Sequence, residues 1–324
     1  ELSPGLYEWA DLPAEVQAHV EGAATLAVAY ELHEPVYADH VWTGAGTDAL
    51  LTTPENWKSG TAPDLADGGA TLIFSEGTDN ATASGTLAVY GLAFRTNASF
   101  TVNAEPGARL KLGAGGIIAT NTAAGSSVNT NTINAAIRTV SSEADTWMLG
   151  TNTILSLAGA LVGAGSAAVT VTSGELELRG DNSAFERPFS FTNLKVRVYS
   201  ATALGAASRD VTLCANTWLV FTGSTNDVPL YGLLSNQDHP YVASGDTVVQ
   251  NGKVTGNPGV NFQVSGMRFR GGLDHTGGNW SLLLADGREA WIEEKPINSQ
   301  GGVGDLVTGN GTLHADLLPA LHEA

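Results

Sequence analysis

Sulfur is nearly missing from this chain: its 324 residues include one cysteine, Cys214, and two methionines. One thiol excludes an intramolecular disulfide frame, and Cys214, in the apolar run VTLCANTWLV, reads as a small buried hydrophobe. Charge is scarce and lopsided, at 15% of residues with 15 Lys and Arg against 33 Asp and Glu. The formal charge of −18 sets the chain against nucleic acid, whose readers need a basic stripe, and suits solubility outside a cell. Aromatic residues, 7% of the total, are too few for a bulky globular core. The sequence has no GxSxG elbow, Walker loop, HExxH or calcium-binding nonapeptide. Its seven histidines form no pair at metal-ligand spacing, so neither a metal nor a cofactor is expected. The uncharged stretch Ile154 to Val171 carries Gly159 and Gly163 at GxxxG spacing but is mostly Gly, Ala and Ser. A spanning helix needs about 20 strongly apolar residues, so no membrane insertion is expected.

What is present is alternation. With 43% hydrophobic residues and 39 glycines, the chain is not a disordered one. The stretch Ala168 to Leu213 shows the pattern most plainly. Val169 and Val171 alternate with threonines, Leu176 and Leu178 with charges, Phe189 and Phe191 with polar residues, and Val196 and Val198 with Lys195 and Arg197. Such alternation puts apolar side chains on one face of a strand. Ser173-Gly174, Gly180-Asp181-Asn182 and Leu204-Gly205 separate the runs as turns. Apolar pairs recur at Leu87/Val89, Leu92/Phe94, Phe100/Val102, Leu110/Leu112 and Ile154/Leu157, which means an all-β fold. A sandwich would need hairpins with Asn-Gly or Asp-Gly turns, and neither dipeptide occurs from Thr71 to Leu213. The pattern therefore predicts a right-handed parallel β-helix, a solenoid, with the hand taken from the general rule for parallel crossovers. Asn97, Asn103, Asn121, Asn129 and Asn131 are placed to form ladders up stacked corners.

The two ends read differently. Asp11-Leu12-Pro13 opens a short helix over a face of Leu12, Val16 and Val20, which Gly22 stops. A strand follows at Leu26 to Leu32, so residues 1–40 are expected to cap the coil, residues 41–229 to form its repeats, and residues 230–324 its last turns. Asn251-Gly252 and Asp286-Gly287, each between apolar pairs, predict antiparallel hairpins near the C-terminus that close the coil against edge pairing. The chain opens at Glu1 with neither methionine nor signal peptide and is expected to be a processed or excised part of a longer protein.

Trp42-Thr43-Gly44, Asn56-Trp57, Pro63 and Leu72-Ile73-Phe74 come in an order that resembles the start of bacterial autotransporter-type passenger regions built from autotransporter-associated β-strand repeats. The resemblance continues at Leu110 to Ile118, at Gly174 to Asn182 with its Leu-x-Leu-x-Gly-x-Asn turn, and at Leu194 to Gly205. It spans roughly Val41 to Leu213. It implies a right-handed parallel β-helix on a bacterial surface, and no catalytic residues. The family's usual C-terminal membrane barrel is not found here, where the chain ends LHADLLPALHEA.

β-Helical polysaccharide hydrolases need two carboxylates across a scissile bond. Glu175 and Glu177 flank Leu176 on one strand face but read as a solvated face, because Lys195, Arg197 and Arg179 are placed to pair with them from neighbouring strands. Of the tryptophans, Trp42, Trp57 and Trp218 read as packing residues. The stretch Gly271 to Trp291 concentrates glycines, two indoles and a turn, so Asp274, His275, Trp280 and Trp291 are the candidate binding residues, a platform for a sugar ring if the two indoles share a face. The alternative is that both indoles cap the last turn. Taken together, the expected function is a non-enzymatic extracellular scaffold, adhesin or assembly subunit at a bacterial cell surface. Its expected partners are glycans, other surface proteins or further copies of itself. A carbohydrate-active β-helix, hydrolase or lyase, or a glycan-binding module remains the alternative.

Overall fold

The computed structural model describes residues 37–77, 79–122, 127–140, 143–214, 216–222, 225–232, 241–256, 261–275, 281–284, 287–293, 297–299 and 307–315. The helix and strand expected before residue 37 lie outside them. Alternation decides the fold from the inside. In Glu175–Leu178 and Lys195–Val198 the burial alternates residue by residue, with Leu176, Leu178, Val196 and Val198 fully buried. Each such side chain moved out of water stabilises the fold by roughly 1.5–3 kcal/mol. A strand with one apolar face is therefore pinned by its buried side, while its backbone groups remain to be paired.

Those groups pair with the next turn of the same coil. Val169–Thr172 lies parallel to Asp145–Leu149 on one side and to Phe189–Thr192 on the other. Glu175–Leu178 lies parallel to Thr153–Leu157 and to Lys195–Val198. Val169 faces Phe189, and Phe189 faces Val211, so a turn here takes 20 or 22 residues. Each turn gives one strand to each of two long parallel ladders, which with the shorter strands that branch from them make two 14-stranded sheets. The chain is a parallel β-solenoid, as the turn chemistry predicts. Among the described residues the only helical piece is the 3-10 turn Pro54–Asn56, and the only antiparallel contact is the bridge between Trp42 and Trp57.

A third, shorter face completes the cross-section. Early in the coil it comprises residues 86–89, residues 109–112, Ala136–Thr139 and Leu161–Val162, paired in that order. Late in the coil it returns as Thr225–Asn226, residues 248–250, residues 267–269, Glu289–Ile292 and Thr312–Ala315. The ladders cross residue 230 without a break, because Val211 faces Leu230 and Trp218 faces Tyr241.

The late face overturns one expectation. Asn251-Gly252 does not make a hairpin, and neither do the strands on either side of Asp286-Gly287, of which Asp286 lies outside the described residues. The strands before and after Asn251-Gly252, Tyr241–Gln250 and Val254–Gly256, belong to different sheets, and each pairs in parallel with neighbouring turns. Ser281–Leu284 and Glu289–Ile292 do not pair with each other; both lie alongside Asn261–Phe269, one at each end. Gly252 is needed for a different reason. A Cβ there would sit 2.4 Å from the Val228 carbonyl carbon, and one at Gly271 would sit 2.3 Å from the Asn251 oxygen. These glycines let one corner rest on the corner of the turn before.

Corners between the two large sheets repeat a backbone shape. Asn152, Ser173, Asn193 and Asn216 all have positive φ, between 51° and 64°, a conformation asparagine tolerates better than most residues. The Asn216 amide donates to the Asn193 side-chain oxygen at 2.9 Å, and Asn134 donates likewise to Asn103 at 3.1 Å. Asparagine ladders thus exist, with Asn103 in one of them. Asn129 and Asn131 are elsewhere: alternation in Asn129–Ile133 turns both inward, where they are buried.

Candidate functional site

Trp42, Thr43, Gly44, Asn56 and Trp57 converge at the N-terminal end of the described coil. Asn56 is fully buried. Its amide donates to the Asp48 and Leu50 carbonyl oxygens, both at 3.0 Å, and its side-chain oxygen accepts from the Gly46 N–H at 2.8 Å. Its own carbonyl accepts from the Thr43 and Gly44 N–H groups. Trp42 and Trp57 pack edge to face at 5.2 Å, and the Trp57 indole donates to Leu51 O. These are packing residues, as expected. Asn182, the last residue of the Leu-x-Leu-x-Gly-x-Asn turn, joins three turns of the coil. It accepts from the Leu161 N–H at 2.7 Å and donates to Ala203 O at 2.6 Å while fully buried. The motifs hold the coil together.

The candidate binding residues are not brought to one place. Asp274 and His275 lie on Leu273–His275 in one large sheet, paired with Val254–Gly256 and Ile297–Ser299. Trp291 lies on Glu289–Ile292, on the third face. The side chains of Asp274 and His275, and the whole of Trp280, lie outside the described residues. Trp291 is half-buried and stands in an outward row, Arg268, Trp291, His314, on three successive turns. The Arg268 guanidinium lies 4.5 Å from the centre of its ring, and the His314 ring stacks at 5.2 Å, tilted by 10°. The flanking turns thus occupy both faces of this indole. Glu293 accepts from Arg268 at 2.5 Å and Arg270 at 3.0 Å. The Arg270 hydrogen bond first, then that of Arg268, holds the Glu293 carboxyl below its usual range.

A larger cluster stands on the outer face of the other sheet. Glu175 faces Lys195, which faces Trp218; Glu177 faces Arg197, which faces Val220. Glu175 takes Lys195 at 3.2 Å and the Arg197 Nε as well. Arg179 donates to Glu177 at 2.9 Å and to the Tyr199 hydroxyl at 2.9 Å, with its guanidinium 4.0 Å over the Tyr199 ring. Tyr199 in turn donates to Glu177 at 3.1 Å. Burial pushes the Glu177 carboxyl up, but hydrogen bonds from Arg179, Ser156 and Tyr199 outweigh it and leave it lowered. Lys195 and Arg197 therefore pair with Glu175 across neighbouring strands as expected, whereas Arg179 pairs with Glu177 from its own turn, two residues away.

Two features escaped the sequence reading. Trp218, expected to pack, is 50% exposed. The signal was there: in Trp218–Phe221 the buried residues are Leu219 and Phe221, so alternation alone turns Trp218 outward. The other feature has no local signal. Arg187 is buried inside the coil and paired with the equally buried Asp145, 42 residues earlier, and it also donates to the carbonyls of Ala167 and Glu143.

Among the described residues no three His, Cys, Asp or Glu side chains converge as a metal would require, and no helix is long and apolar enough to cross a membrane. Comparison with known protein families, curated proteins and solved structures finds no match to this chain. The cluster around Glu175 and Glu177 remains the most developed polar surface described, and its chemistry is that of fixed, paired charges.

Proposed function

We propose that this protein is a non-enzymatic extracellular scaffold of a bacterial surface, serving as an adhesin or an assembly subunit. One observation carries the reading: the outer-face carboxyls of Glu177 and Glu293 are held below their usual range, Glu177 by Arg179 two residues along its own turn and Glu293 by Arg270 and Arg268 on the preceding turn. Glycoside hydrolysis needs one carboxyl kept protonated near neutral pH, which requires a raised pKa. Glu177 and Glu293 are displaced the other way. The autotransporter-like motifs support the same reading, since their residues serve the coil's corners and its first turn. Incubation with polygalacturonate, alginate and host glycans should release no new reducing ends. Sustained release would replace the scaffold with a carbohydrate-active enzyme. Antibodies to the chain should label intact cells of the source bacterium, and labelling only after lysis would remove the surface assignment.

A further inference from the structure

Most buried amides of the coil are met by the protein itself. Asn56 bonds within the first described turn, and Asn182 bonds to the turns on both sides of its own. The Asn226 amide donates to Val228 O and to the Gln250 side-chain oxygen, and the Gln250 amide donates to Val228 O and Gly252 O. Asn131 departs from this pattern. It is fully buried on the inner face of its strand, and neither its side-chain oxygen nor its nitrogen has a partner among the described residues. Two neighbouring groups share that condition. The Asn129 side chain stands two residues back on the same inner face, about 6.6 Å along the strand. Its nitrogen donates to Thr96 O at 2.8 Å, but its oxygen is unpartnered. The unpartnered, buried Thr153 hydroxyl belongs to the residue directly opposite Asn129 on the next turn, about 4.8 Å on. Burying such groups without a hydrogen bond is costly, and three of them on two successive turns point to a shared partner.

The same turn is where the core side chains become smaller. On the preceding turn Phe94 and Phe100 meet inside the coil, with ring centres 6.1 Å apart. Their places are then taken by Ala119, which faces Phe94 in the ladder, and by Asn131, which faces Phe100. One turn further on, Leu149 and Leu155 take them. Protein interiors fill space as closely as organic crystals do, so a step from two phenyl rings to a methyl and an amide leaves room for a small guest. We propose that this turn encloses a hydration site, in which water inside the coil is held by Asn131, the Asn129 oxygen and the Thr153 hydroxyl. A buried water makes about three hydrogen bonds. Asn131 can both donate to it and accept from it, the Asn129 oxygen accepts, and the Thr153 hydroxyl does either. A metal ion is a poorer guest, because the set contains no carboxylate, and an apolar one would leave the amides unpaired. The site stands whether or not the chain serves as a scaffold.

The test uses the full chain. Magnetic relaxation dispersion of water oxygen counts the waters that a protein holds for longer than it tumbles. Asn131→Leu removes the central partner, and Ala119→Leu fills the space beside it. The wild type should hold more long-lived water than either variant, whereas Asn134→Leu, at an exposed corner three residues on, should leave the count unchanged. Melting temperature gives a second readout on Asn131→Leu. In a dry interior that variant removes two unpaired polar atoms and adds apolar packing, so it should melt higher. With water present it strands the Asn129 oxygen and the Thr153 hydroxyl, and it should melt no higher than the wild type. A high-resolution crystal structure of the wild type decides the matter if the variants fold poorly. Density within hydrogen-bond distance of Asn131 and of Asn129 or Thr153 is expected there. The proposal is overturned by equal water counts in all the chains, or by an Asn131→Leu variant that melts higher than the wild type. A dry interior, a metal ion at the site, or Asn131 bonded directly to a protein group also overturns it.

Discussion

Arg187 is 1% exposed and Asp145 equally buried, which makes their pair the least replaceable polar contact described. Taking two charges out of water is expensive, and their attraction returns that only with good geometry and further hydrogen bonds. Arg187 has both, donating to Asp145, Ala167 O and Glu143 O. On the other side of the pair, the second Asp145 oxygen has no partner. Asp145→Asn should therefore lower stability by about 3–5 kcal/mol, because it strands a buried cation. Joining it with Arg187→Met should recover most of that loss. Chemical denaturation of the two variants checks the order. A double variant no more stable than the single would mean that the guanidinium's carbonyl bonds matter more than its charge.

Corners are the elements on which the coil turns, and they share a backbone rather than a sequence. Asn152, Ser173, Asn193 and Asn216 differ in neighbours yet all take positive φ at the same point of the turn. The requirement is the left-handed conformation, and the asparagine side chain adds a bond between turns where two are stacked. Asn216→Gly keeps the backbone and removes the bond to Asn193, a loss of about 0.5–1.5 kcal/mol. Asn216→Val removes the bond and strains the backbone, so it should be worse by about another 1–2 kcal/mol. Thermal melting of the two variants separates these contributions. Equal melting temperatures would show that the ladder bond alone matters at this corner.

At the scale of the whole molecule, stability is a sum over turns, each resting on its neighbours, and charge is the term that conditions change most easily. The Glu177 and Glu293 carboxyls lie below the ordinary glutamate value of 4.5 when folded. Below that value the unfolded chain takes up these protons first. Their contribution is fully present above 4.5 and is lost as pH falls through the lower folded values. The melting temperature should thus hold down to about pH 5 and decline below it. Glu177→Gln with Glu293→Gln should flatten that decline. An unchanged slope would assign acid unfolding to other carboxylates.

Sequence alone determined which residues face inward. Leu176, Leu178, Val196 and Val198 were readable because desolvation acts on each side chain separately and writes itself as a period of two. The absence of hairpin dipeptides before Leu213 distinguished a coil from a sandwich, and Glu175 with Lys195 and Arg197 was recognisable as a cross-strand set. Tertiary structure decided what lies next to what. Asn251-Gly252 has the same local chemistry as a hairpin turn, and only its contact with Val228 on the preceding turn makes it a stacked corner. Trp291 offered itself as an open platform until Arg268 and His314, on the turns before and after, took its two faces. Arg187 and Asp145 meet across 42 residues. In each case the partner lies about a turn or more away along the chain, and it is fixed by the register between strands. That register depends on the length of every loop between them, which no local pattern records.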